Sequence, residues 1–249
     1  MMPHRLNAIL HRFVTRFTLP LPGILIVVTL GLFAQVPVIN AQNRAASSSE
    51  LTGAKGLGGQ ILLQNSGLGI GGYISRLVNQ DIIFVAEISL SSIKDGREVA
   101  FFNRLGQKDI PDKANYVMQL PIQVGFEHRL FRASIEDNFR PFLHATTGPT
   151  LIWKSPYFDD INGNQELDPG EPVYSTFGSL SHGNLELGWS GTISVGAHFG
   201  KLLGGTQSLR LGYTFTYFFE EIPLLEPSVR SPATFVGSPS IKLSFGKLY

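Results

Sequence analysis

From Gly56 onward, apolar and polar residues alternate with a two-residue period, the mark of strands with one apolar and one polar face. The stretch Leu185 to Gly200 shows it best. Leu185, Leu187, Trp189, Ile193, Val195, Ala197 and Phe199 share one face, and Glu186, Ser190, Thr192, Ser194, Gly196 and His198 share the other. Leu209 to Phe219 sets Leu209, Leu211, Tyr213, Phe215, Tyr217 and Phe219 against Arg210, Gly212, Thr214 and Thr216. Met118 to Leu130 and the last segment, Phe235 to Tyr249, repeat the pattern, and the segments around Ile82–Ser91 and Leu143–Trp153 follow it less purely. A glycine-rich opening supplies two more strands, Leu57 to Gln64 and Leu68 to Val78, joined at Asn65, Ser66 and Gly67. The fold class expected is all-β, an eight-stranded antiparallel up-and-down barrel over residues 56–249.

Alternation alone does not say which face is inside. A soluble barrel buries its apolar face, whereas a membrane barrel turns it to lipid around a polar interior. Several segments reach the roughly 9–11 residues that a tilted membrane strand needs. Aromatics recur toward segment ends (Tyr116, Trp153, Phe199, Phe218, Phe219, Tyr249) as interfacial girdles require. The polar faces are rich in Gly, Ser and Thr, which suits a narrow lumen. Joint lengths add the strongest argument. After the first hairpin, short joints (Asn79–Gln80, Phe131–Asn138, Lys201–Thr206) alternate with long ones at residues 92–115, 155–183 and 220–233. That parity places short turns on the periplasmic side, mobile long loops outside and both termini periplasmic.

Residues 1–41 read as a secretory signal peptide. A basic start (Arg5, Arg12, Arg16) precedes an apolar run from Leu19 to Val38 and a small-residue exit, with cleavage expected after Ala41 and Ala34 as the second choice. Residues 42–55 read as a flexible lead-in. The address implied is the outer membrane of a Gram-negative envelope. Charge fits: without the three leader arginines, 17 of the 20 basic residues remain against 19 acidic ones, too balanced for a nucleic-acid partner. The absence of cysteine excludes disulfides, thiolate metal sites and a lipid-anchored cysteine.

The segment Arg140, Pro141, Phe142, Leu143, its end at Gly148, Pro149, Thr150, the run Gly191 to Gly200, Leu209 to Tyr213, and the aromatic end Phe245 to Tyr249 resemble the small OmpA-type outer-membrane β-barrels, particularly the Bacteroidetes-like "outer membrane protein beta-barrel" proteins. The resemblance implies the same barrel, membrane lipid as surroundings, and recognition of the last strand by the barrel-assembly machinery. Lys247 departs from the pattern, standing on a face that should be apolar.

Two places hold candidate chemistry. Asp160, Asn162, Asn164, Asp168 and Glu171 occupy positions 1, 3, 5, 9 and 12 of an EF-hand-like loop, with the Glu166 carbonyl at position 7. That spacing predicts a calcium site ordering the longest external loop. Gln165 stands where the sharp turn normally takes Gly, and an acidic, turn-rich surface loop is the alternative. On the polar faces, Arg76, Glu87, Glu127, Arg129, Glu186, Arg210 and Lys242 must pair if that face is the lumen, because unpaired buried charge is costly. His144 and Thr146 partly match the His-x-Ser pair of outer-membrane lipid A deacylases but lack its Ser-Asn continuation. A hydrogen-bonded lumen histidine is expected there, and likewise at His128 and His198. No residue set reads as catalytic. The function expected is a structural or surface-interaction role with a surface or envelope protein partner. The alternatives are a narrow pore or carrier for small, hydrophobic molecules, a soluble lipocalin-like barrel, and a lipid-modifying barrel enzyme.

Overall fold

The computed structural model describes residues 53–65, 67–102, 108–135, 138–200 and 204–249. The leader and most of the lead-in lie outside the described residues. The strands are β1 (Lys55–Gln64), β2 (Gly67–Leu77), β3 (Ile82–Ile93), β4 (Phe101–Phe102), β5 (Lys108–Asp109), β6 (Asn115–Arg129), β7 (Phe139–Pro156), β8 (Asn184–Phe199), β9 (Gly204–Ile222) and β10 (Ala233–Leu248). Eight of them close a barrel in the order β1-β10-β9-β8-β7-β6-β3-β2, and β4 pairs β5 as a hairpin within the first long loop. All barrel pairs are antiparallel neighbours, and β1 seals against β10 from Gly56↔Leu248 to Gln64↔Ser240. The strands outrun the alternation: β7 pairs through Pro156 and β9 through Ile222. The long loops shorten accordingly.

Side-chain direction settles the face. On β8, Ser190 and Thr192 are at most 1% exposed, while Ile193 and Val195 are just over half exposed. Leu57, Ile74 and Leu211 on other strands likewise stand more than half exposed. The apolar face is outside, the reverse of what a soluble lipocalin-like barrel requires. Outward aromatics pair across strands, as in Phe84–Phe126 (5.7 Å between ring centroids) and Phe139–Phe199 (5.6 Å).

Three placements differ from the sequence reading. Arg76 falls on the parity of Ile70 and Ile74 and is exposed on the outer face near the end of β2. A long cationic side chain at a strand end keeps its charge in water while its stem lies on apolar surface. His128 shares the outward parity of Phe126, so it is not in the lumen. Phe218, expected in a girdle, points inward and is 1% exposed. It joins Ile93, Val117, Ile152, Ile222, Leu224 and Ala233 in an apolar cluster inside the long-loop end of the barrel. The interior is therefore polar in its middle and apolar at its long-loop end.

Close approach explains several strand glycines. A Cβ on Gly125 would stand 1.9 Å from the Ala145 carbonyl oxygen of β7. Gly125→Val should therefore distort the β6–β7 pairing, lowering the yield of folded, heat-modifiable barrel on gels by several-fold. A Gly212→Ala control, with its Cβ 2.4 Å from the Ile193 carbonyl oxygen and the small Ser194 side chain, should be milder than the valine.

Candidate functional site: a closed polar lumen and an acidic long loop

The middle of the lumen is organised by Glu87 of β3, which is 5% exposed. Lys242 of β10 donates to its Oε1 at 2.7 Å and Arg210 of β9 to its Oε2 at 3.2 Å. Arg210 also donates to Gln60 Oε1 (2.7 Å), Ser244 Oγ (3.0 Å) and His144 Nε2 (3.0 Å). Because the guanidinium has only donors, His144 Nε2 must accept, which puts the imidazole proton on Nδ1. Nδ1 then donates to Ser194 Oγ at 3.2 Å. A histidine that donates to a serine cannot take its proton, so this pair is not built as a base and nucleophile. Its place in the network is that of a hydrogen-bonded filler.

Above this layer, Gln123 links three strands, donating to Ser190 Oγ and accepting from Thr146 and Thr192. Gln119 does the same with Ser91 and Thr216. Toward the other end, Glu127 pairs with His198, and Arg140 donates to the Gly200 carbonyl. Glu186 pairs with Lys154 near the long-loop rim. Of the lumen charges read from sequence, Glu87, Glu127, Glu186, Arg210 and Lys242 are thus found in hydrogen-bonded or ion-paired positions. The glutamines and Arg140 were missed. Neutral amides on a polar face look like ordinary strand residues, and only register reveals that they bridge strands.

The long loops contact one another. Ile110, Tyr157 and Phe158 form an apolar cluster with Tyr116 and Leu167 packed against it. Ala114 N–H donates to Leu224 O (3.2 Å), Asn115 Nδ2 to Pro223 O (2.8 Å) and Glu226 N–H to Asp112 O (2.8 Å). Within the first of these loops, Lys113 and Glu98 form a buried ion pair. Tyr157 hydroxyl accepts from Ile110 N–H. The buried apolar residues of these loops carry no periodicity, so the sequence offered little sign of their packing.

Within this cap, the acidic loop winds around its own oxygens. Asp160 Oδ1 accepts from the N–H groups of Gly163 (2.7 Å) and Asn164 (3.1 Å), and Oδ2 from Gln165 (2.9 Å). Asn162 Oδ1 accepts from Asn164 N–H and Asn164 Oδ1 from Glu166 N–H. Glu171 folds back, accepting from Ile161 N–H through Oε1 and from Asp168 N–H through Oε2. Gln165, at the position that usually takes Gly, has a left-handed φ of 63°. Asp168 Oδ2 accepts from the amide nitrogens of Asn162 (2.6 Å) and Asn164 (2.9 Å). All six sequence-selected residues are thus in one turn of chain. Among the described residues, no three His, Cys, Asp or Glu side chains are gathered as a metal site. Any ring of oxygens here depends on the Asn162 and Asn164 carboxamides and the Glu166 carbonyl as well.

Glu226 ties this loop to the last one, accepting from Leu167 N–H at 3.0 Å. Burial pushes its carboxyl above the ordinary range, opposed by the Leu167 hydrogen bond and reinforced by Asp112, Glu166 and Asp168. With a raised folded-state value, the junction is strongest below the ordinary carboxylate range and weakens as pH rises through that raised value. Glu226→Gln keeps the acceptor and removes the charge. Limited proteolysis of the loops at pH 8 in chelator should therefore slow in the variant, with the wild type matching it only at acid pH.

No family model matches the chain. None of the curated proteins matches it either. Among solved structures, the chain is similar to the N-terminal β-barrel domain of Pseudomonas aeruginosa OprF, at 9% identity over 80% of this chain and 98% of that one, TM-score 0.42. It is also similar to Neisserial surface protein A (10% identity, 78% and 93% covered, TM-score 0.33). A third likeness is to the outer membrane protein OprG from Pseudomonas aeruginosa (10% identity, 80% and 96% covered, TM-score 0.33). Likenesses at that distance decide nothing further about this chain, whose barrel is defined by its own strand register.

Proposed function

We propose that the chain is exported behind the signal peptide of residues 1–41 and resides in a bacterial outer membrane, termini periplasmic, as a structural or surface-interaction barrel. The observation that carries this reading is the outward apolar face around a filled lumen. An exterior on which Leu57, Ile74, Ile193 and Leu211 all stand more than half exposed needs an apolar medium. The interlocked Gln119, Gln123 and Glu87 layers and the apolar cluster at the external end favour a plug over a conducting path. The external cap also presents Phe177, Ile161 and Phe101, all well exposed, as contact points for a surface or envelope protein partner. Gel mobility of the membrane fraction with and without boiling tests the reading. A heat-dependent shift with detergent-only extraction is expected, and a protein that leaves in buffer alone would overturn it. Single-channel recording separates the plug from the narrow pore: no steady conductance is expected.

Calcium is the cofactor this reading assigns to the external loop. Its support is the EF-hand spacing, the wrap of backbone N–H groups around Asp160, and the gathering of Asp112, Glu166 and Asp168 near Glu226. Asp160, Asn162, Asn164, Asp168 and Glu171 side chains with the Glu166 carbonyl would hold the ion. The expected dissociation constant is that of extracellular modules, about 10⁻⁴–10⁻³ M. Titration calorimetry should show one site that Glu171→Ala abolishes. Protease cleavage within residues 157–183 should be slowed several-fold by calcium in the wild type and unaffected in the variant.

A further inference from the structure

The β1–β2 hairpin is much shorter than the wall around it. β1 ends at Gln64 opposite Ser240, yet β10 continues upward to Ala233 with only β9 beside it. On the other side, β2 pairs β3 no higher than Ile70↔Leu90, and β3 runs on through Ile93 with only β6 beside it. Two strands are therefore missing from the wall above Asn65, about 10 Å of width at the usual strand spacing. The gap has a built frame. Asn65 N–H donates to Ser238 Oγ at 3.1 Å and fixes the lower edge to β10. Across the top, Arg230 pairs with Asp95, and Arg97 donates to the Val229 carbonyl at 3.3 Å. These contacts link the loop after β3 to the loop before β10.

Behind the frame lies a cavity of about 330 Å³, lined on one side by Ile93, Leu224 and Val236 and floored by Gln119 and Thr216. That volume is at the small end of ligand sites, which run roughly 300–1,000 Å³. The lining is mixed, with Asp95, Arg230, Thr214 and Ser238 also on it. The floor amide and hydroxyl are engaged with each other at 2.8 Å and Arg230 with Asp95, so the apolar side is what an entering tail would meet. The opening faces the same side as lipid-directed residues. Phe235, 46% exposed, stands on the β10 jamb, and its ring lies 6.4 Å from that of outward Phe215. The hairpin tip itself ends on exposed Leu63 and Leu68. Exposed Lys94 and Arg97 add positive charge to the frame beyond the Arg230–Asp95 pair, and the Lys94 ammonium lies beside Gly67 at the lower corner.

We propose that this gap is a lateral window through which a short-chain anionic amphiphile of the membrane places its apolar tail in the cavity. Its head stays at the Lys94–Arg97 edge. The proposal rests on the membrane reading above and is independent of calcium. The test uses purified protein in phosphatidylcholine nanodiscs with a decanoate probe carrying a terminal diazirine, and with the matching decanol probe. Irradiation should label the cavity lining (Ile93, Gln119, Thr216, Leu224, Val236) in the decanoate sample. Val236→Trp, which fills the cavity, should cut that labelling at least five-fold, while Leu211→Trp on the far lipid face leaves it unchanged. Lys94→Gln with Arg97→Gln should weaken decanoate labelling several-fold and spare that of decanol. Label confined to the outer face, or cavity label indifferent to Val236→Trp, would overturn the window. Equal labelling by decanol and decanoate in the wild type would overturn the anionic head. Heat-modifiable mobility, measured on every variant, reports separately whether the membrane barrel itself stands.

Discussion

Glu87→Ala is expected to destabilise the barrel by about 3–5 kcal/mol, the usual consequence of removing one partner from a buried ionic group. The size follows from what stays behind. Lys242 and Arg210, 3% and 4% exposed, would keep their charges in the lumen without the carboxylate that holds both. Arg210 retains Gln60 and Ser244, whereas the Lys242 ammonium, 2.7 Å from Glu87 Oε1, loses the carboxylate it donates to. Urea unfolding in detergent micelles, followed by heat-modifiable mobility, reads the loss. Replacing the pair together, Glu87→Leu with Lys242→Met, should cost clearly less than the sum of the single variants, with a coupling of roughly 0.5–3 kcal/mol. Additive losses would show that the two side chains do not stabilise each other.

The second large effect belongs to the outer face. Ile193→Arg on β8 is expected to destabilise by roughly 2–4 kcal/mol in a bilayer, as for a cation at the midplane of a membrane barrel. Ile193 pairs Ala145 and Tyr213 across its neighbours and is just over half exposed. In water the same substitution at so exposed a position would fall within about 0.5 kcal/mol. Phe199→Arg, at the end of the same strand, should cost less, about 0–1 kcal/mol, because interfaces tolerate the charge. Refolding into liposomes at several urea concentrations measures both. A flat response to position would remove lipid as the medium around these residues.

The barrel was legible because its signal is periodic. Every strand from Leu185 onward alternates in step with what the structure buries. The errors at Arg76 and His128 share a cause. Each was placed by its own polarity, whereas parity with Ile74 and Phe126 puts both outside. Phe218 erred the other way, an aromatic whose parity points it inward. Pair partners were beyond reach, since Glu87 meets Lys242 from 155 residues away and only register brings them together. The acidic loop was readable because its spacing is local. The wall gap above Asn65 was not, because it depends on how far β3 and β10 outrun a hairpin that looks ordinary by itself.

The seam between β1 and β10 has a consequence for how such a chain comes into being. Gly56 meets Leu248, so the first strand delivered waits for the last before the wall is complete. Every other strand pairs with a sequence neighbour and can form locally, while these two carry unsatisfied edges throughout. Closure is therefore the late, long-range step, the kind that slows folding most. A chain halted before Ala233 would expose the edges of β1 and β9 together, two templates for joining a neighbour halted at the same point.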